Sequence, residues 1–210
     1  MLFRSARTRT RKEGPDYVTQ IECADGLFAY QYARVDQSLR PGARKTQVIS
    51  TLTEALANSG IGVGQIKGVP NDGYNQGIVL SGKVTDLLAS ICEKDNLRFT
   101  ILDGQVVIVP MDGASDDAAT LISVDTGMVG IPEVGDGNRV TVRCLMNPKI
   151  RPFGKVAVVS KFLMDFKENR SLARSDSSGT KPGAGLYTAV KVVHSGDTWG
   201  GEWYTTVEAV

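Results

Sequence analysis

"LRFTILDGQVVIVP", residues 97–110, is the stretch whose reading decides the architecture. Two apolar runs flank Asp103-Gly104, the kind of dipeptide that a type I′ turn prefers because both central residues take positive φ. The segment therefore predicts a β-hairpin. Just before it, "SGKVTDLLASICEKDN" (81–96) sets Val84, Leu87, Leu88, Ile91 and Cys92 at i, i+3, i+4, i+7 and i+8. That spacing is one face of an amphipathic helix. Ser81 or Gly82 would precede its start, and Asp86 suits the positive end of its dipole. Cys92, on the apolar face, reads as core packing. Further upstream, "RKTQVISTLTEALANSG" (44–60) places Val48, Ile49, Leu52, Ala55 and Leu56 on one face, with Gly60 as a stop. Residues 39–112 thus read as a small α+β domain in which two helices pack on a hairpin.

Beyond this domain "MDGASDDAA" (111–119) is short, acidic and rich in small residues, the composition of a linker. The C-terminal part of the chain is all strand and turn. "TLISVDTG" leads into "MVGIPEVGDGNRVTVRCLMNP", where Val140, Val142 and Cys144 alternate with Thr141 and Arg143. "GKVAVVSKF", "GLYTAVKVVH" and "EWYTTVEAV" add further strands. At least five short strands at such spacing predict a small barrel or sandwich over residues 118–210. The polar stretch 165–184 is too long for a tight hairpin and reads as a loop that is either mobile or ordered only against a partner.

Upstream of the helices, "LFRSARTRTRKEGPDYVTQIECADG" (2–26) reads as two strands about a turn at "KEGPD". Arg7, Arg9 and Arg11 alternate with Ala6, Thr8 and Thr10, giving one basic strand face. A solvated face is the simplest account of that row, and a polyanion contact or an interface stripe is the alternative. The fold class expected is α+β, mostly β: N-terminal strands in 1–38, the α+β domain in 39–112 and a tube-like β-barrel in 118–210.

The totals narrow the function. A chain of 210 residues with 41% hydrophobic and 22% charged residues is an ordinary globular composition. A formal net charge of +1 gives the whole chain no pull toward nucleic acid or anionic membrane. Cys23, Cys92 and Cys144 are odd in number, widely spaced and without a C-x-x-C pair, which suits a reducing compartment. The start, "MLFRSARTRTRK", has no apolar run that could act as a signal peptide, and no uncharged stretch approaches membrane-spanning length. Synthesis and folding in cytoplasm is the expectation.

Chemistry is hard to find. The only histidine, His194, stands three positions before Asp197 in "VVHSGDTWGGEWYTTVEAV" (192–210). A hydrolytic site would also need a nucleophile and an oxyanion donor, and there is no G-x-S-x-G. One histidine and dispersed cysteines do not make a zinc site. His194 is instead expected to pin a hairpin through a turn-side hydrogen bond. "GIGVGQIKG" (60–68) resembles a phosphate cradle only superficially, since it follows a helix and lacks G-K-[ST], and it reads as a turn. No catalytic, cofactor-binding or metal-binding residue is assigned, no cofactor is expected, and the protein is not expected to be an enzyme.

The order of segments resembles a known family. "EGPDYVTQIECADGLFAYQYARVDQSLRPG", "GIVLSGKVTDLLASICEKDNLRFTILDGQVVIV", "LISVDTGMVGIPEVGDGNRVTVRCLMNPKIRPFGKV" and "YTAVKVVHSGDTWGGEWYTTVEAV" come one after another. Together they resemble the baseplate hub proteins of contractile-tailed bacteriophages, related to tail-spike adaptors. The resemblance implies a virion structural protein of the tail baseplate, without catalysis. It would sit in a ring below the tail tube that holds the central spike, built of tube-like barrels with a small α+β domain inserted. The implied partners are the protein itself (a homotrimer, or a hexamer), the tail tube protein and the central spike protein. Tape-measure protein and baseplate wedge subunits are further contacts, and neither membrane nor specific nucleic acid is implied. One departure stands out: the chain starts inside what should be a first barrel. Either another polypeptide supplies the missing strands or residues 2–33 pair with the C-terminal barrel. Strands near 138–146 and 185–194 are expected to pair with neighbouring copies. The rival reading is a tail-tip module that binds or degrades cell wall.

Overall fold

The computed structural model describes residues 4–115, 118–135, 139–160 and 184–210. The chain divides into two compact units, Met1–Asp112 and Gly113–Val210. Among the described residues it is mostly β, with 49% strand and 19% helix.

The first unit opens with a hairpin, β1 (Arg4–Glu13) and β2 (Asp16–Ala24), in antiparallel register with Arg9 opposite Gln20. Among the described residues these strands pair only with each other. A short helix α1 (Leu27–Tyr32) comes next, which no sequence periodicity announced because six residues are too few to show one. Then come β3 (Arg34–Leu39), β4 (Ala43–Arg44), α2 (Lys45–Ala57), β5 (Gly62–Ile66), β6 (Gly73–Tyr74), β7 (Ile78–Lys83), α3 (Val84–Lys94), β8 (Leu97–Leu102) and β9 (Gln105–Pro110). Val48, Ile49, Leu52 and Leu56 of α2 and Val84, Leu88, Ile91 and Cys92 of α3 are buried, as their spacing predicts. They pack with Leu97, Ile101, Val106 and Ile108 of the hairpin in one core.

The β8–β9 turn is as expected: Asp103 has φ 52° and Gly104 φ 72°. Two details differ from the expectation. Ser81 and Gly82 belong to β7, which runs directly into α3, and Lys83 caps the helix without a side-chain hydrogen bond. The segment 60–68 is mainly a strand and not a turn. β5 lies parallel to β9, with Val63 opposite Val106 and Ile66 opposite Ile108. Glycines erase the alternation that betrays a strand, and its partner lies far along the chain, so no local signal marked it.

The second unit contains β10 (Thr120–Ser123), a 3-10 turn (Val124–Thr126), β11 (Glu133–Val134), β12 (Val140–Leu145), β13 (Lys155–Val159), β14 (Gly185–Gly196) and β15 (Trp203–Ala209). They form one curled, half-barrel sheet in the order β10-β13-β14-β15-β12-β11. Ile122, Val140, Val142, Cys144, Val156, Val158, Tyr187, Ala189 and Val207 line its core face with Ile150. The closed barrel expected for 118–210 is not present among the described residues. The end strands β10 and β11 do not pair, and β11 has only two residues with which to do so. The loop expected at 165–184 lies, apart from Ala184, outside the described residues.

Candidate functional site

The last two strands were the place to look for chemistry. His194 of β14 stands directly opposite Thr205 of β15. The Thr205 side chain is fully buried, and its hydroxyl oxygen accepts the Asn147 N–H at 2.9 Å. The same oxygen lies 2.8 Å from His194 Nδ1. Asp197 is engaged elsewhere, its Oδ1 accepting the Trp199 N–H at 2.9 Å in the turn. His194 and Asp197 therefore each hold a piece of the hairpin, and no hydrogen bond joins them among the described residues. His194 pins strand to strand rather than to its turn, a role that only the register reveals.

The tip of this hairpin carries two tryptophans, one packed and one exposed. Gly196 faces Trp203 across the strands, and a Cβ on Gly196 would lie 2.6 Å from the indole ring. Only glycine lets the ring lie against the backbone there. Trp199, by contrast, is 97% exposed. On the outward face of the sheet the Arg143 guanidinium stacks 3.9 Å above the Tyr204 ring, and Lys191 pairs with Glu208 at 2.8 Å.

β14 changes neighbours along its length. Gly185–Thr188 pair with β13, and the Phe153 N–H donates to the Ala189 carbonyl at 2.7 Å. From Val190 to Gly196 the strand pairs only with β15 among the described residues. In an antiparallel ladder alternate residues point their backbone groups to opposite sides. Among the described residues this half of β14 thus presents an unfilled edge. β12, also expected to be open, is flanked on both sides: by β15, and by Val129 and β11, with the Val129 N–H donating to the Arg143 carbonyl at 2.8 Å.

The β1–β2 hairpin is the other unusual surface. Every side chain from Arg7 to Cys23 is exposed. Cross-strand partners share a face, so Arg7, Arg9 and Arg11 lie with Glu22, Gln20 and Val18. Arg11 also pairs with Glu13 at 2.7 Å. The opposite face carries Tyr17, Thr19 and Ile21, with Lys12 above the Tyr17 ring at 5.9 Å. Tyr17 and Ile21 are 74% and 59% exposed.

Elsewhere polar groups serve the fold. A cleft of about 430 Å³ between α1, the end of α2 and the β8–β9 turn is lined by Asp25, Phe28, Asn58, Gly60 and Gln105. The Asp25 carboxylate is occupied there, accepting the Gly104 N–H at 2.9 Å. Lys45 bridges Asp72 at 3.0 Å and the nearly buried Asp95. These hydrogen bonds, Asp95 first, raise the Lys45 pKa, and Lys45 lowers that of Asp72. Burial, helped by the charge of Asp95, pushes the Cys92 thiol up to about 11. Burial raises Cys144 too, so neither thiol offers a ready thiolate. Cys23 is exposed. Among the described residues no group of three or more His, Cys, Asp or Glu could hold a metal ion, and no helix is long and apolar enough to cross a membrane.

No family model matches the chain, and no curated protein matches it. Its fold does match a solved structure. It is similar to the crystal structure of the 43 kDa tail protein of prophage MuSo2 from Shewanella oneidensis, with a TM-score of 0.59 and 11% sequence identity. The match covers 98% of this chain and 77% of that one. At this identity the likeness is one of fold, shared with a phage tail protein over nearly the whole chain.

Proposed function

We propose that the protein is a structural subunit of a phage tail, and more specifically of the baseplate hub, the ring that joins the tail tube to the central spike. The observation that carries this reading is the fold shared with a prophage tail protein over 98% of the chain. Two surface features support an assembly role. Among the described residues the β1–β2 hairpin exposes both faces and both outer edges, and β14 leaves half an edge unfilled. Open strand edges are a liability in a protein that works alone and an asset in one that closes a ring. On this reading the protein does no chemistry, and its partners are its own copies, the tube protein and the spike. The homotrimer is preferred over the hexamer.

The test is the mass of the purified protein by size-exclusion chromatography with light scattering, followed by negative-stain electron microscopy. A trimer or hexamer that appears as an annulus is the expected result. A monomer at every accessible concentration would overturn the ring.

A further inference from the structure

We infer that ring copies join when β2 of one subunit adds to the open half of β14, residues 190–196, in the next. This rests on the ring reading above and names the strands that make it.

The first argument is one of unmet needs. An isolated two-stranded hairpin is marginal in water, because it lacks a third strand or a packed face. β1–β2 has neither among the described residues. β14 has the complementary need. Its β13-side neighbour stops at Gly154, whose carbonyl accepts the Ala189 N–H at 2.9 Å, and from Val190 onward that side is vacant among the described residues. The nine residues of β2 are long enough to fill it. Strand addition to such an edge is a standard recognition mode: backbone hydrogen bonds supply the attraction and the side chains set the choice.

The second argument is the match of faces. On β14, Val192 lies opposite Val207 on the core side of the sheet, and His194 and the half-exposed Trp203 continue that face. Lys191 and Val193 lie on the outward side. β2 is two-faced in the same sense. Tyr17, Thr19 and Ile21 would extend the apolar side beside Val192 and Trp203, leaving Asp16 and Glu22 on the side of Lys191. A slip by one residue would invert both faces, so the match also sets register. β1 fits poorly, because Arg7, Arg9 and Arg11 would meet Lys191.

The third argument identifies the occupant. In the subunit itself the outer edge of β2 is unpaired among the described residues. We take the added strand from a second copy, because every copy carries the same free β2 edge. Because β2 and the β14 edge are different surfaces, the contact is head-to-tail, the kind that closes into rings.

Cys23 provides the probe. It is exposed and lies on the same side of β2 as Ile21, whereas Cys92 and Cys144 are buried. Val192→Cys and His194→Cys, each made in the full chain, are treated with a short bis-maleimide. With Ile21 beside residue 194, an antiparallel β2 brings Cys23 level with position 192, and a parallel one brings it level with 196, within reach of a linker from 194. One variant should give a ladder of cross-linked chains on a denaturing gel, up to the size of the ring, and Cys23→Ser should abolish it. Ile21→Lys, which touches no core, should weaken association at least tenfold with an unchanged circular dichroism spectrum. Intact oligomers without cross-links between chains, cross-links only within a chain, or an Ile21→Lys protein that assembles normally would each overturn this joint while leaving the ring standing. A wild-type monomer would overturn both.

Discussion

At the scale of single residues, the strongest effects belong to groups buried inside the α+β unit. Lys45 and Asp95 tie the start of α2 to the end of α3, and their side chains are only 16% and 7% exposed. Lys45→Met strands the Asp95 carboxylate, which should cost about 3 kcal/mol in urea unfolding. The double variant Lys45→Met/Asp95→Leu should recover most of that loss, because the orphan charge is gone. Cys92 makes a pH prediction. Its thiol stays protonated to about 11 in the fold, against 9.0 for the ordinary thiol. The unfolded chain therefore loses this proton first as pH rises, and stability falls between pH 9 and 11. At about 1.4 kcal/mol per pH unit, the loss is of order 2 kcal/mol. Lys45, also raised, acts in the same direction but only above its ordinary value of 10.5, where its cationic form begins to be lost. Cys92→Val should flatten the fall in melting temperature between pH 9 and 10.5, and an unchanged slope would refute the assignment. The burial of Cys92 was legible because it follows helical spacing. The Lys45–Asp95 pair was not, since 50 positions separate the partners and either alone looks like an ordinary surface charge.

At the scale of elements, what the sequence disclosed depended on how local the cause was. The Asp103-Gly104 turn, α2 and α3 rest on neighbours a few residues apart, and each could be read directly. β5 pairs with a strand some forty positions away, and α1 is a single turn and a half held by its surroundings. Neither leaves a periodic trace. The unfilled half of β14 is a still later product, visible only once β13 has stopped short. Two substitutions test the hairpins that were legible. Gly104→Val places a β-branched residue at φ 72° and should cost about 1–2 kcal/mol in chemical unfolding. Gly196→Ala puts a methyl group into the Trp203 ring and should displace it, shifting tryptophan emission and destabilising the hairpin tip by about 1 kcal/mol. His194→Ala should matter less, since the buried Thr205 oxygen keeps the Asn147 N–H.

At the scale of the molecule, the order of segments carried more than any motif did. The mostly-β plan with its small α+β unit was readable, and the barrel it suggested is, among the described residues, a half-barrel. Against the rival cell-wall-degrading reading, the structural one makes a sharp forecast. Incubation with purified peptidoglycan should release no soluble fragments, and measurable release would displace the structural role. The β1–β2 hairpin has one more consequence. Its side chains from Arg7 to Cys23 are all exposed, and such a segment has backbone amides that exchange quickly with solvent and is a preferred site for proteolytic nicking. If copies join as proposed, covering its edge would suppress both properties. On the proposed reading the arm would date each copy: unassembled subunits should be nicked by added protease faster than assembled ones.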